Sequence, residues 1–297
     1  MSCSLQMEKE KKRIVNSLNE DGIAISHIDA LLGNKEKVMF IEIRKLFDEM
    51  LSSDKIKERL RLLKNNTPIC DKDKIFEITA SQYLGRPINL SDNEIIKFSL
   101  NEHFLDVVEK YLESEVKVRN VLHWIHGEYP RRPSHSMRWH RDTESEKLVK
   151  VWTYFNDVSL ENGAGYYVKN SAKGGKNDHI WQNVTNEQLN GTGYLDSAAV
   201  AKIPQEDIVH ASGPAGTIVF VNSNGFHKGG YVREGYRAIT HFLYVRPNAC
   251  QIANGTITDF NYNPQMNYCD YESEEFQKLN ERQKKCLLPG KQIRNGG

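Results

Sequence analysis

The sequence has few cysteines, almost no net charge and no long apolar run. Its five cysteines, Cys3, Cys70, Cys250, Cys269 and Cys286, are scattered, and no two form a CxxC pair. An odd, dispersed set excludes a disulfide framework or a zinc cluster and predicts free thiols in a reducing compartment. Forty Lys and Arg stand against 39 Asp and Glu, a formal net charge of +1. That balance excludes a general nucleic-acid binder, which needs a basic excess. No segment reaches the ~18 apolar residues that span a bilayer. The opening MSCSLQMEKEKKRIV lacks the apolar stretch of a signal peptide. The expectation is a cytoplasmic protein without a membrane span. Internal repeats and low-complexity segments are also missing.

The composition, 39% hydrophobic and 27% charged over 297 residues, is that of a globular chain long enough to bury a sizeable core. Apolar residues at helical spacing predict helices over about 5–20 and 37–63, the second carrying Phe40, Ile43, Phe47 and Leu51. A third is expected over 92–112, with Ser91 as N-cap and Glu94 closing a capping box. GIAIS (22–26) is a short strand between the first two helices. Residues 65–91 are turn-rich. From Lys117 the character changes: 118–129, 148–158, 165–169, 216–221 and 237–245 have the β-branched and aromatic content of strands. A polar insertion fills about 170–214 and has the length of a functional lid. After Pro247 comes a polar tail, helical over 274–287, with Ser273 as its cap. Helices first and strands after them predict an α+β protein with a mainly β core, a sandwich or jelly roll.

The segment SHSMRWHRDT (134–143) places His140 and Asp142 two residues apart. On a strand, such residues share one face, so an imidazole and a carboxylate converge. A distant histidine would complete a 2-His-1-carboxylate triad with coordination positions left open. A second HxD, His27-Ile28-Asp29, sits between a strand and a helix, where Asp29 reads as a helix cap or turn residue. Downstream, GPAGTIVFVNSNGFHKGGYVREGYRAITHFLYV (213–245) carries His227 in a glycine-bracketed loop between two strands. Arg237 opens the returning strand. An arginine at the edge of a barrel interior needs an anion, and a guanidinium takes a carboxylate in a bidentate fork.

Together, WHRD (139–142), DVSLENGAGYYVKNSAKGG (157–175), GPAGTIVFVNSNGFHKGG (213–230) and GYRAITHFLYV (235–245) resemble the phytanoyl-CoA dioxygenase family of iron(II)/2-oxoglutarate oxygenases. The resemblance covers roughly residues 12–246. It implies a double-stranded β-helix (cupin-like) flanked by N- and C-terminal helices, with Fe(II) held by His140, Asp142 and His227 as the catalytic centre. It also implies 2-oxoglutarate anchored on Arg237, Trp152 lying against that co-substrate, and O2 as the oxidant. The reaction implied is hydroxylation of an unactivated C–H bond with release of succinate and CO2. Retention of Asp142 favours hydroxylation over halogenation, which in related enzymes needs a small residue there.

The chain departs from the family pattern at Glu128-Tyr129-Pro130, where members often carry Lys-Pro, and at Arg141, where they carry Gln. The expected organisation is a single oxygenase domain over 1–297: helical support over about 1–115, a β core over 117–246 with its insertion at 170–214, and the tail from 247. Around the triad in sequence lie Arg131, Arg132, Arg138, Arg141, Lys147, Lys150, His123, His126 and His135. They read as a solvated rim or as an electropositive mouth for a small anionic substrate, with Arg138, Arg141 and His135 as candidate contacts. Two other readings remain at this level: a cupin-type metalloenzyme that does not use 2-oxoglutarate, and a non-catalytic β-sandwich binding module.

Overall fold

The computed structural model describes residues 3–65, 77–85, 88, 90, 94–130, 135–142, 145–183, 194–195, 197–247, 249 and 272–287. Nine strands are found among them. A six-stranded sheet has the order β1 (Ile23–His27), β7 (Thr217–Asn222), β4 (Val149–Tyr154), β9 (Tyr236–Val245), β3 (Lys117–Gly127) and β2 (Glu77–Thr79). A three-stranded sheet has the order β6 (Ile208–Ala211), β5 (Gly165–Val168) and β8 (His227–Lys228). All their pairings are antiparallel.

Alternation along the strands gives the large sheet two apolar faces. Val149 and Val151 of β4, Ile218 and Phe220 of β7, and Ala238, Phe242 and Tyr244 of β9 join the helical core. Trp152 and Tyr154, Val219 and Val221, and Ile239 point the other way and pack with Tyr167 and Ala211 of the small sheet. The two sheets therefore enclose an interior, and the architecture is the expected double-stranded β-helix with a mixed α and β composition.

The helices α1 (Cys3–Glu20), α2 (Ile28–Leu31), α3 (Asn34–Ser52), α4 (Asp54–Lys64), α5 (Ala80–Leu84), α6 (Glu94–Ser99) and α7 (Glu102–Leu112) precede the barrel strands β3–β9. Phe40 of α3 stacks on Phe155 just beyond β4 at 4.6 Å between ring centroids, and Phe47 packs tilted against the same ring at 5.0 Å. Each such fully buried ring contributes about 1.5–3 kcal/mol over an exposed one. Short helix α8 (Ser197–Val200) belongs to the insertion and packs with Trp139, Ile180 and Phe226. In the tail, α9 (Glu274–Gln277) and α10 (Glu281–Cys286) return to α7, where Arg282 pairs with Glu102, Asp106 and Glu109.

Several expectations need correction. The helix expected over 37–63 is two helices, because Ser53 leaves the helical conformation and its hydroxyl caps α4 by accepting from Ile56 N at 3.3 Å. The helix expected over 92–112 breaks likewise at Asn101, which caps α7 by accepting from Phe104 N; the proposed cap Ser91 lies outside the described residues. The turn-rich and insertion segments each contribute an edge strand, β2 and β6. The helical tail is interrupted between α9 and α10, with Ser273 capping the first as expected. In the second HxD, His27 rather than Asp29 is the cap: its Nδ1 accepts from Asp29 N, and Asp29 pairs with Lys37 at 2.9 Å.

Candidate metal centre

The turn that carries His227 is built by local geometry. Asn222 ends β7, Gly225 N donates back to Asn222 O at 2.9 Å, and Phe226 N donates to Ser171 Oγ at 2.7 Å. The chain then enters β8, where His227 pairs with Tyr167. On its other side His227 meets the WHRD segment. His140 and His227 exchange both backbone hydrogen bonds, at 3.0 and 2.9 Å. Asp142 N donates to Ser223 O at 2.9 Å, and the Asn224 amide donates to Asp142 O at 3.2 Å. The HxD is therefore held by an isolated bridge rather than by the strand expected from its spacing.

The result brings His140, Asp142 and His227 together. One ligand atom from each lies within 4.8 Å of the others, close enough for a single cation at about 2.0–2.5 Å from each. The Nδ1 atoms of His140 and His227 bond the carbonyls of Arg138 and Gly225, at 2.8 and 3.0 Å. A ring nitrogen facing a carbonyl carries the proton, so each Nε2 keeps its lone pair for the shared point. Those nitrogens lie 4.0 and 3.9 Å from the Asp142 carboxylate.

The electrostatics suit a cation. Burial pushes the Asp142 carboxyl upward, but the Lys150 ammonium beside it outweighs that and holds the group well below the usual carboxylate range. Burial, reinforced by His140 and Lys150, keeps His227 far below its ordinary value. Both groups are thus in the form that metals bind, a carboxylate and a neutral imidazole.

Lys150 is a correction. Read from sequence as a rim charge, it is 9% exposed and lies inside the barrel. Its Nζ is 2.5 Å from Asp142 Oδ2 and 3.2 Å from His227 Nε2. The signal was present in KVWTY: alternation puts Lys150, Trp152 and Tyr154 on one face. Trp152 is buried, with its ring centroid 6.3 Å from that of His227. A Cβ on Gly165 would fall 2.6 Å from the indole, so only glycine lets β5 lie this close.

Arg237 is 3% exposed and is the second residue of β9, opposite His126 of β3. Its guanidinium donates to the Gly163 carbonyl and lies against His126 Nδ1. Gly163 (φ +85°) brings that carbonyl close because its turn packs backbone to backbone on Gly230. His126, read from sequence with the rim or mouth charges, is buried instead; it and His241, which the sequence did not single out, flank Trp124 at 5.3 and 6.0 Å between ring centroids.

The remaining candidates divide. Arg138 is exposed, and its guanidinium lies over the Tyr194 ring, which is edge-on to His140. Arg141 is buried on the opposite side of the segment from its ligand-bearing neighbours. It donates to Ser171 O and Asp178 Oδ1 and covers Phe226. That position is turned away from the point where His140, Asp142 and His227 meet. His135 opens a 3-10 turn, and its side chain lies outside the described residues; Arg131 and Arg132 lie outside them altogether. His123 is fully buried on the helix-facing side of β3, away from the interior.

A family model described as phytanoyl-CoA dioxygenase matches residues 40–235, more than half of the chain. No curated protein matches in sequence. Among solved structures, the non-heme alpha ketoglutarate dependent epimerase SnoN from nogalamycin biosynthesis superposes with a TM-score of 0.51 at 15% identity, covering 80% of this chain and 84% of that one. EctD from S. alaskensis, solved with 2-oxoglutarate and 5-hydroxyectoine, gives 0.51 at 14% identity, covering 80% and 76%. The carbocyclase SnoK from nogalamycin biosynthesis gives 0.50 at 15%, covering 79% and 84%. At such identities these neighbours establish a shared fold. With the family model running from within α3 through the WHRD segment and the His227 turn, the chain belongs to the phytanoyl-CoA dioxygenase family.

Proposed function

We propose that the protein is a cytoplasmic Fe(II)/2-oxoglutarate-dependent dioxygenase that hydroxylates an unactivated C–H bond of a small anionic molecule, releasing succinate and CO2. The observation that carries this reading is the convergence of His140, Asp142 and His227 at one point of a barrel interior that also buries Arg237. A metal-only cupin has no need of that arginine, and a binding module has no need of the three ligands. The donor set of two neutral imidazoles and one carboxylate fits iron and leaves positions open.

In this reading His140 and His227 present Nε2 and Asp142 its carboxylate. Iron held there supplies the O2 activation that protein side chains lack. Arg237 pairs with the far carboxylate of 2-oxoglutarate, exchanging its present contact with Gly163 for a charge-assisted fork. Trp152 forms the apolar wall along the co-substrate and, with Trp124 and Ile239, keeps water out. Arg138 and Lys228, the latter packed over Trp139 and Tyr166, give the surroundings of the triad the positive charge that suits an anion. Helices and barrel act as one domain, because α1, α3 and α7 share a continuous core with the large sheet. Among the described residues no helix is long and apolar enough to cross a membrane.

The test is turnover. Purified protein with Fe(II), O2 and 2-oxoglutarate is screened against small carboxylates and phosphate esters by mass spectrometry. The reading expects succinate formation, stimulated by one class, with gain of a single oxygen atom in the product. Iron-bound protein that never consumes 2-oxoglutarate contradicts it.

A further inference from the structure

Lys150 has no part in the function proposed above, yet it touches two of the three candidate ligands. Its strand β4 is paired on both sides, with β7 and β9, so its backbone is fixed. Its ammonium nitrogen sits 2.5 Å from Asp142 Oδ2 and 3.2 Å from His227 Nε2; His227 is buried and the Asp142 side chain is 12% exposed. This is not a surface ion pair. His227 Nε2 has one lone pair to give, and an ammonium and a divalent cation cannot both hold it: one must leave when the other arrives.

We propose that Lys150 is the resident cation of the metal pocket: it holds Asp142 and His227 in ligand geometry, competes with the metal for them, and once displaced pairs with the metal-side carboxylate of the dicarboxylate co-substrate. The inference rests on the metal-centre reading and deepens it.

Three physical points support the sequence of partners. A buried carboxylate needs a counter-charge at all times, and without metal Lys150 provides it. When a divalent ion takes the shared point, repulsion drives the ammonium off, but the fixed strand limits it to the swing of its four-carbon stem. The charge therefore stays beside the metal, inside the barrel. Arg237, also facing that interior, fixes the far carboxylate of a dicarboxylate, so the near carboxylate arrives at the metal, within reach of the displaced ammonium. Lysine suits this exchange, being a point charge on a flexible stem.

The experiment is calorimetric and independent of turnover. Mn(II), a redox-quiet stand-in for iron, is titrated into the parent, Lys150→Met and Lys150→Arg; 2-oxoglutarate is then titrated into each Mn(II)-loaded protein. Removing a like charge a few ångströms from the metal makes Mn(II) bind Lys150→Met more tightly than the parent, by about tenfold or more. The same variant binds 2-oxoglutarate about tenfold more weakly, and Lys150→Arg recovers part of that loss. A residue that only supported the fold would weaken both. Should Lys150→Met leave Asp142 too poorly compensated to fold without metal, Lys150→Gln keeps a donor without the charge and carries the same expectations. Equal Mn(II) affinity in parent and neutral variants overturns the competition, and equal 2-oxoglutarate affinity overturns the handover; either result sinks the proposal. Absence of Mn(II) binding from the parent as well would overturn the metal-centre reading beneath it.

Discussion

His140 and His227 are hydrogen-bonded to each other through both of their backbone amides, at 3.0 and 2.9 Å, so one antiparallel pair sets the positions of two candidate ligands. The imidazoles, 4.2 Å apart between centroids, project from a frame that does not depend on them. His140→Ala and His227→Ala are therefore expected to keep the fold and lose the metal. Metal affinity should fall by more than about a hundredfold, since even outer partners of ligands cost 10–100-fold, while circular dichroism of the metal-free protein stays that of the parent. Loss of structure in both variants would show that the bridge needs the side chains.

Gly165 and Trp152 give a second prediction. The Cβ of alanine at 165 would lie 2.6 Å from the indole, and β5 has no freedom to withdraw because it is paired on both sides. Gly165→Ala should cost about 1–3 kcal/mol in denaturant unfolding, the usual range for overpacking. It should also weaken 2-oxoglutarate binding by moving Trp152. Unchanged stability together with unchanged 2-oxoglutarate binding would place Trp152 away from the co-substrate.

His123 predicts a pH effect. It is fully buried, its ring nitrogens have no hydrogen-bond partner among the described residues, and burial pushes its imidazole down to about 3. The folded state therefore keeps the ring neutral, while the unfolded chain takes up a proton near the ordinary value of 6.5. The stability linked to this group is fully present above 6.5 and is lost as the pH falls from there toward 3. At pH 5 the loss is about 2 kcal/mol. His123→Leu should match the parent near pH 7.5 and exceed it at pH 5 in chemical denaturation. Parallel pH profiles would contradict the assignment.

The candidate triad and the arginine were legible in sequence because each part carried its own mark: an HxD after a tryptophan, a glycine-bracketed histidine between two strands, and an arginine at the start of the second. What escaped was anything decided by packing. Lys150 reads as one more charge until β4 is known to bury both faces. Arg141 sits between two candidate ligands in sequence, yet alternation turns it toward Asp178. The breaks at Ser53 and Asn101 are invisible to periodicity because Phe47, Met50, Ile56 and Leu63 face one core before and after the first, as do Phe98 and Phe104 around the second. Strands β2 and β6 lie at sheet edges, are only three and four residues long, and give too little pattern to stand out from polar surroundings.

The central claim is that one site couples iron to 2-oxoglutarate, and the direct measurement is anaerobic titration of the metal-free protein with Fe(II) and then 2-oxoglutarate. The readout is the visible charge-transfer absorption that arises only when both are bound together. The account predicts the band in the parent, its loss in His227→Ala and its weakening in Arg237→Ala. Iron bound by the parent with no band on adding 2-oxoglutarate would contradict it.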